Sequence, residues 1–407
     1  MSIHLVCKTL PTKHHLVPLP PSHHSITPST STTPSTSLPP STLRLTPTLL
    51  ALASNNKTYH ALGSLYCWWS TYPVPASLNP SSTPSIPSRR KHNSSRLGLR
   101  HRLRIHRARH PPRRRSLRVL APLLRALGPD ARSPPRSGDG RKGLMGLYNR
   151  YLVVHDSTAS DEVDLSGKQA DLRASVRPVW EMGLLLRYTF PVGGEGAVYP
   201  LGMGTEWERE DADLGKAVVV VLGARSKTGR SVAWGLTGRG NGIKGLVLGA
   251  SRVERLEGIY GGKGAEVVRY EDVDGRTVET VKRTGAERVV LFDCGSPPVG
   301  PGVVETAQGL VKTTVVVVGS GPALYAGFSD EEVTKVQFSV SGARDDVMKK
   351  IGSGEYFEAA EKAWDDYVAD EGETWEIERR KGVREIKRAW EQLVNGLEAG
   401  AVVIELP

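Results

Sequence analysis

The stretch that decides the fold is Ala217–Ser231, AVVVVLGARSKTGRS, in which a continuous apolar run ends at a glycine and a polar segment follows. Six apolar residues without alternation are typical of a strand that is buried on both faces of a sheet. The segment that begins at Lys227 has helical character, and Ser226 stands where a helix cap is expected. The stretch therefore predicts a strand, a tight turn and a helix.

The same alternation recurs downstream, and the first five runs begin about 20–28 residues apart. Further apolar runs are Gly245–Leu248, Ala265–Tyr270, Arg288–Phe292, Thr313–Val318, Lys335–Val340 and Ala401–Leu406. Segments that can form helices are Lys227–Leu236, Ser251–Tyr260, Val273–Thr284, Gly302–Val311, Gly354–Asp370 and Val383–Leu397. Alternating strands and helices predict an α/β fold with a Rossmann-like, doubly wound parallel sheet. In the last two helices we interpret Trp364 and Trp390 as core residues.

The turn after the first strand is where a doubly wound sheet binds a dinucleotide, because backbone N–H groups and a helix N-terminus there favour a diphosphate. Gly223 and Gly229 permit close approach of the backbone, and Arg225 adds positive charge. The predicted diphosphate ligands are Gly223, Ser226, Lys227, Thr228 and Gly229. The full G-x-G-x-x-G fingerprint is absent, so the alternative is a plain βα turn that holds no ligand.

A phosphate loop is the second alternative for this turn. Ser226-Lys227-Thr228 resembles the end of such a loop, and Val289–Asp293 resembles a strand that ends in a magnesium ligand. The P-loop pattern, however, requires glycines at the positions that Val221 and Ser226 occupy. The segment between Leu222 and Lys227 is also too short to wrap a triphosphate, so this alternative is disfavoured.

The end of the second strand discriminates between cofactors. NAD-binding proteins favour Asp or Glu there, because a carboxylate accepts hydrogen bonds from the ribose hydroxyls. The chain instead has Gly249-Ala250-Ser251-Arg252, with no acidic residue before Glu254. We predict that Ser251 and Arg252 hold the 2′-phosphate of NADP. The alternative is that Arg252 is an ordinary exposed residue at a helix start.

The fourth and fifth strands end in Asp293-Cys294-Gly295-Ser296 and Gly319-Ser320-Gly321-Pro322. Small residues at these ends leave room for the nicotinamide and its ribose. Asp293 and Gly319 are accordingly predicted as further cofactor contacts. Cys294 has no histidine nearby in sequence, so we interpret it as a small buried thiol and not as a nucleophile.

The first part of the chain has a different composition. Residues 1–140 carry 20 Lys and Arg but two acidic residues, whereas residues 141–407 carry 34 and 41. The basic character thus belongs to one segment, and the whole chain is not a basic nucleic-acid-binding protein. Its abundance of Pro, Ser and Thr predicts a disordered tail. A passive or wrongly joined segment, an organellar transit peptide and, least favoured, a nucleic-acid-binding arm stay open as its role.

The numbers of cysteine and histidine residues argue against a disulfide framework and against a zinc site. The part expected to fold, residues 141–407, contains one cysteine, Cys294, and one histidine, His155, so neither a disulfide framework nor a Cys/His zinc site is expected. No run approaches 18 apolar residues, so we expect no transmembrane helix. We predict a cytoplasmic protein without a metal, or a mitochondrial one if the basic N-terminus is a transit peptide.

Five short elements in order resemble a known family. They are Tyr148-Asn149-Arg150-Tyr151, Arg177-Pro178-Val179-Trp180, Ser226-Lys227-Thr228, Gly245–Ser251 and Asp293-Cys294-Gly295. From about residue 145 the chain resembles domain-of-unknown-function family 2855, a group similar to medium-chain dehydrogenases/reductases. LGARSKTG lies where the quinone-oxidoreductase type of that superfamily carries an AAxGGVG turn.

The resemblance implies a domain division and an activity. Residues 1–140 would be the disordered tail, 141–215 a partial GroES-like and connecting segment, and 216–407 a Rossmann-like domain with C-terminal helices. The implied activity is a zinc-independent, NADP(H)-dependent oxidoreductase, either working or inactivated by truncation of its N-terminal catalytic domain. The alternative is a non-catalytic Rossmann-like module that binds a nucleotide or dimerises.

The resemblance leaves the chemistry of the substrate open. We expect a small-molecule substrate, a homodimer, and no nucleic-acid or membrane partner. No catalytic residue is assigned. Tyr148 and Tyr151 are candidates for a proton donor by position only, and packing is the alternative role for both.

Overall fold

A computed structural model describes the chain over residues 2–7, 14–18, 44–53, 94–96, 100–106, 117–120, 152–155, 167–198, 209–237, 242–295, 299–318, 334–395 and 401–407, and at residues 12, 56, 60 and 64. Its contacts divide into two units. One unit is Arg177–Thr374, and the other combines Met1–Val176 with Trp375–Pro407. One sheet lies in the first unit and two sheets lie in the second.

The described strands are β1 (Ser2–Cys7), β2 (His14–Pro18), β3 (Arg44–Leu52), β4 (Ser94–Arg96), β5 (Arg100–His106), β6 (Leu117–Leu120), β7 (Leu152–His155), β8 (Ala217–Leu222), β9 (Gly245–Ala250), β10 (Ala265–Arg269), β11 (Arg288–Asp293), β12 (Lys312–Val318), β13 (Thr334–Phe338), β14 (Ile377–Lys381) and β15 (Ala401–Glu405). The described α-helices are α1 (Lys168–Ser175), α2 (Arg177–Thr189), α3 (Arg209–Ala212), α4 (Lys227–Thr237), α5 (Glu254–Tyr260), α6 (Val273–Thr284), α7 (Gly300–Gln308), α8 (Val340–Ile351), α9 (Ser353–Glu371) and α10 (Arg384–Val394).

The unit Arg177–Thr374 is built on a six-stranded sheet with the order β10-β9-β8-β11-β12-β13. Every neighbouring pair in this sheet is parallel. The first strand along the chain, β8, is central, and the later strands are added on either side of it. This is the doubly wound order of a Rossmann sheet. The predicted α/β fold class is confirmed.

The core of this sheet follows directly from the apolar runs. All six residues of β8 are fully buried, because helices cover both faces of a parallel sheet. Val218, Val220 and Leu222 belong to a cluster that also includes Val273 of α6 and Val303 of α7. Burying each such side chain contributes about 1.5–3 kcal/mol relative to leaving it in water.

The element boundaries agree closely with the sequence pattern, with one instructive difference. Helix α6 has the predicted limits, Val273–Thr284. The predicted strand Lys335–Val340, by contrast, ends at Phe338 and gives way to helix α8. Ser339 stops the strand, because its side chain accepts a hydrogen bond from Gly342 N at 3.3 Å and caps the helix.

An aromatic cluster forms a second core in the same unit. Trp180 of α2 packs edge-on against Trp364 of α9, with 5.2 Å between the ring centroids, and Tyr367 contacts both rings. Trp364 is almost fully buried, as is Trp390 in the other unit. The core role predicted for both tryptophans is confirmed.

The other unit contains two sheets. A three-stranded antiparallel sheet has the order β2-β1-β4, and a six-stranded sheet has the order β14-β15-β3-β5-β6-β7. In the larger sheet β14 and β15 are parallel, and the remaining neighbours are antiparallel. Pairing in this unit is therefore mainly antiparallel, whereas the sheet of the unit Arg177–Thr374 is built from βαβ repeats.

Within residues 1–140 the structure describes the strand β3, and the disorder predicted for the tail as a whole stays a prediction. This strand pairs with β15 on one side and β5 on the other, and Leu49–Leu52 are buried. Leu50 and Leu52 face helix α10, whereas Leu49 and Ala51 face helix α1. The run at residues 49–52, LLAL, is apolar enough for a strand that is buried on both faces. The composition averaged over 140 residues does not reveal so short a run.

The C-terminal strand β15 belongs to the unit that contains β3, because Val402 and Ile404 pack with β3 and helix α10. The predicted domain limits stay a prediction. No helix among the described residues combines the length and apolar character needed to cross a bilayer.

Candidate functional site

The candidate site lies where the carboxyl ends of the parallel strands meet. The strand order reverses beside β8, since β9 lies on one side of it and β11 on the other. Ala224 N donates a hydrogen bond to Gly249 O at 3.1 Å, and Cys294 N donates to Leu222 O at 3.1 Å. The turn after β8 is thus held to the ends of both neighbours. Ligands of doubly wound sheets bind in the crevice at such a switch point.

Two glycines make the turn after β8 tight. Gly223 has a φ of +73°, a conformation that other residues rarely adopt, and a Cβ there would lie 3.1 Å from Cys294 O. A Cβ on Gly229 would overlap the Gly223 carbonyl oxygen and lie 2.8 Å from Ala224 Cα. Helix α4 therefore packs backbone against backbone on the turn. This close approach is the role of the last glycine in a dinucleotide fingerprint.

Ser226 caps helix α4. Its Oγ accepts a hydrogen bond from Gly229 N at 2.9 Å, and its carbonyl oxygen accepts one from Arg230 N at 2.9 Å. The amides of Lys227 and Thr228, the first two residues of the helix, have no acceptor inside the helix. The start of α4 consequently presents backbone donors and the positive end of the helix dipole at the crevice.

Cationic side chains flank the same turn. Arg225 is exposed, whereas the terminal amino nitrogen of Lys227 is buried. The predicted group from Gly223 to Gly229 is therefore assembled in one place by β8 and α4. Its donors and charges are those that an anionic diphosphate requires.

Ser251 and Arg252 lie directly after β9, and both are exposed. Leu222 of β8 is opposite Gly249 of β9, so the two residues lie at the strand end adjoining the turn. The first acidic residue that follows, Glu254, has Oε1 4.0 Å from Arg269 NH2. The exposure of Arg252 agrees both with a phosphate contact and with an ordinary residue before a helix, so its predicted role stays a prediction.

The end of β11 is more enclosed. Asp293 is buried, and its Oδ1 accepts a hydrogen bond from Gly295 N at 2.9 Å, which fixes the turn. Cys294 is a buried free thiol, and burial raises its pKa well above the ordinary range. The neutral thiol agrees with the predicted packing role. Three other candidates, Gly319, Tyr148 and Tyr151, lie outside the described residues.

Tyr270 is a site residue that sequence reasoning missed. It follows β10, and its Cδ1 would lie 3.6 Å from a Cβ on Gly249 at the end of β9. Burial raises the pKa of this phenol. The only signal in the sequence is an aromatic residue at the end of the third strand, which is too general to assign a contact with the neighbouring strand end.

The residues present fit the diphosphate of a dinucleotide. Gly223 and Gly229 let the backbone of the turn pack closely on its neighbours, and a helix start with cationic side chains follows directly. A metal is not required for this mode of binding. Among the described residues, no group of three or more His, Cys, Asp or Glu side chains is placed to hold a metal ion.

Solved structures that are similar to the chain include two oxidoreductases and one protein solved with NADPH. A quinone oxidoreductase from Pseudomonas syringae pv. tomato DC3000 is 15% identical, with 99% of each chain covered and a TM-score of 0.49. ECK1772, an oxidoreductase/dehydrogenase of unknown specificity from Escherichia coli, is 14% identical over 100% of each chain, with a TM-score of 0.47. CurA from Vibrio vulnificus, solved with NADPH, is 11% identical over 89% of each chain, with a TM-score of 0.45.

No curated protein matches the chain. A family described as "Protein of unknown function (DUF2855)" matches residues 135–398, which is more than half of the sequence. The matched range includes the turn from Gly223 to Gly229 and the strand ends around it. The chain belongs to the DUF2855 family.

Proposed function

We propose that this chain binds NADP(H) at the turn between β8 and α4 and acts as a zinc-independent oxidoreductase of the medium-chain reductase type. The observation that carries the proposal is the absence of space for any side chain at Gly229, at the switch point of a doubly wound sheet. The resemblance of LGARSKTG to the quinone-oxidoreductase turn supports the type of reaction.

In this proposal each part of the site has one task. The amides of Lys227 and Thr228, with the Lys227 ammonium, hold the diphosphate. Ser251 and Arg252 hold the 2′-phosphate through a hydroxyl and a guanidinium fork. Asp293 fixes the turn after β11 that borders the crevice. NADPH, when bound, supplies the hydride, and the chain supplies orientation and electrostatics.

Binding tests the proposal first. We expect the full chain to bind NADPH saturably, measured by the fluorescence of the reduced nicotinamide. Gly229→Ala forces a methyl group into the turn backbone and should weaken NADPH binding at least tenfold. The matched control is Gly275→Ala in helix α6, where a Cβ meets nothing within 4 Å. Equal affinity of the Gly229 variant and the control would contradict the proposal.

The coenzyme preference depends on Arg252. A hydrogen bond to a charged group contributes about 1.5–3 kcal/mol, and about 1.4 kcal/mol corresponds to a tenfold change in affinity. Arg252→Gln should therefore weaken NADPH binding about tenfold or more and leave NADH binding unchanged. Titration of both coenzymes into both chains measures this. A wild-type chain that binds NADH as tightly as NADPH would refute the role of Arg252.

A non-catalytic nucleotide-binding module is the second candidate function. The observation that favours it concerns the residues at the end of β11. Asp293 Oδ1 accepts the Gly295 N–H, and burial raises the pKa of the Cys294 thiol, which makes this thiol a weak acid. Neither group is therefore well suited to give a proton to a substrate. Oxidation of NADPH in the presence of quinones or enones distinguishes the two functions. Binding without turnover of any such acceptor supports the module.

A further inference from the structure

Helices α2 and α4 of the unit Arg177–Thr374 meet backbone to backbone. A Cβ on Gly183 of α2 would overlap the carbonyl oxygen of Ser231 in α4. A Cβ on Gly235, about one turn further along α4, would lie 2.5 Å from Gly183 O and 2.9 Å from Gly183 Cα. Because neither glycine has a side chain, no flexible group separates the two helices here. A shift of α4 against α2 therefore moves one backbone against the other.

The Ser231 side chain bonds to two main-chain groups of α2. Its Oγ accepts a hydrogen bond from Gly183 N at 2.9 Å and donates one to the Trp180 carbonyl oxygen. Ser231 is fully buried, so solvent does not compete for these bonds. Since one hydroxyl serves as both donor and acceptor, displacement of α4 along α2 breaks both bonds together.

Aromatic packing adds to this contact. The rings of Trp180 in α2 and Trp234 in α4 have centroids 5.8 Å apart. The guanidinium carbon of Arg187 in α2 lies 5.6 Å from the centroid of the Trp234 ring. The hydrogen bonds, the glycine contact and the ring packing thus all act on residues 231–235 of α4.

The start of α4 is about one turn from Ser231. Each helical residue adds about 1.5 Å, so Lys227 precedes Ser231 by about 6 Å along the helix axis. The amides of Lys227 and Thr228 belong to the backbone and cannot reorient as side chains do. Their position at the crevice is consequently that of the helix as a whole, and α2 helps to fix it.

We propose that Ser231 is a positioning residue of the coenzyme site. Its hydroxyl holds α4 on Trp180 and Gly183 in the place where the Lys227 and Thr228 amides meet the diphosphate, and it does not touch the coenzyme. Binding groups must be held to within about 0.5 Å of their productive positions, so a small shift of α4 weakens the grip on the diphosphate. This inference rests on the proposed function, because it concerns the ligand assigned to the same helix start.

Removal of the hydroxyl tests this role. Ser231→Ala deletes both hydrogen bonds and leaves the glycine contact unchanged. We expect the dissociation constant for NADPH to rise about fivefold. Adenosine 2′-monophosphate lacks the 5′-diphosphate, and its phosphate is the group proposed for Ser251 and Arg252, so its dissociation constant should not change. Isothermal titration calorimetry measures both ligands.

The pair of ligands separates positioning from a general loss of structure. A loosened unit would weaken the binding of both ligands, whereas a displaced helix start weakens only the one that carries a diphosphate. NADPH binding as tight as in the wild-type chain, or equal weakening of both ligands, would overturn the inference.

The matched control is Thr277→Val in helix α6. Thr277 is buried in the same unit, and its hydroxyl donates a hydrogen bond to Val273 O at 2.7 Å. The change removes a buried hydroxyl from a helix other than α2 and α4, so NADPH binding should stay at the wild-type value. Equal weakening by the two variants would show that any lost buried bond in this unit has the effect, and the role of Ser231 would be refuted.

A further measurement uses the wild-type chain alone. Bound diphosphate should steady α4 and, through the Ser231 hydroxyl, the Gly183 N–H. Hydrogen–deuterium exchange of a peptide that contains Gly183 should therefore be slower with saturating NADPH than in the free chain. An unchanged exchange rate would contradict the coupling of α2 to the coenzyme site.

The two proposals fail in different ways. If the wild-type chain binds NADPH and the Ser231→Ala chain binds it equally well, the positioning role alone is wrong. If the wild-type chain binds neither NADPH nor NADH, the proposed function is wrong and the role of Ser231 fails with it.

Discussion

A single carboxylate in helix α6 couples stability to pH. Asp274 Oδ1 is buried and has no hydrogen-bond partner among the described residues, and Oδ2 would lie 2.8 Å from a Cβ on Gly302. Burial raises the pKa of this carboxyl, because desolvation penalises its charged form. The folded chain therefore binds the proton of Asp274 more readily than the unfolded chain does.

The sign of the pH effect follows from that difference. We expect the contribution of Asp274 to the free energy of unfolding to decrease as the pH rises from about 4, the ordinary aspartate pKa, through the raised pKa. Asp274→Asn should thus be more stable than wild type at neutral pH and equally stable below about pH 4. Urea unfolding at several pH values measures this.

The control for Asp274 is an exposed aspartate on another helix. Asp366 of helix α9 lies on the surface, 3.0 Å from Lys362 Nζ, and its replacement by Asn should bring no gain at neutral pH. If Asp274→Asn is no more stable than wild type at neutral pH, the destabilising effect assigned to the charged form of Asp274 is contradicted.

At the scale of elements, helix α4 is anchored by a buried ion pair. Arg230 NH2 lies 2.7 Å from Glu371 Oε2 at the end of helix α9, and both side chains are buried. The Tyr260 hydroxyl lies 3.0 Å from the Arg230 carbonyl oxygen and also contacts Glu371 Oε1. The helix that carries the diphosphate turn is therefore tied to α5 and α9 one turn beyond its start.

Removal of one partner of this pair should lower the free energy of unfolding, whereas replacement of both partners by apolar residues should not. Arg230→Met leaves Glu371 buried without its cation, and we expect a loss of about 3–5 kcal/mol in urea unfolding. The double variant Arg230→Met/Glu371→Leu removes both charges and should regain most of that loss. A double variant as unstable as the single one would show that the pair itself contributes the stability.

At the scale of the whole molecule, one strand joins distant parts of the chain. Leu50 of β3 is opposite Ile404 of β15 and is almost fully buried. Leu50→Ala should therefore cost about 2–5 kcal/mol and increase hydrogen exchange of a peptide that contains β15. Leu310→Ala, at a half-exposed leucine, is the control. Unchanged exchange at β15 would contradict the pairing of β3 with β15.

The predicted homodimer and the small-molecule substrate also belong to this scale, and both stay predictions. The proposed coenzyme site is contained in the unit Arg177–Thr374. Loss of β3 pairing and loss of NADPH binding can therefore be measured independently of each other.

Local sequence was sufficient for the parallel sheet and for the turn after β8. Each strand is an apolar run bounded by polar segments, and Ser226 and Gly229 act through neighbours that are close in the chain. The start of helix α8 was missed because Ser339 acts as a cap only once β13 has ended. A capping side chain does not by itself show which element it terminates.

Only the folded chain decided the contacts between residues that are far apart in sequence. β3 pairs with β5, which precedes residues 177–374 in the chain, and with β15, which follows them. Apolar periodicity specifies which residues are buried but not which partner buries them. Pairing across the chain depends on the whole topology, so the partners of the strand within residues 1–140 were beyond the sequence pattern.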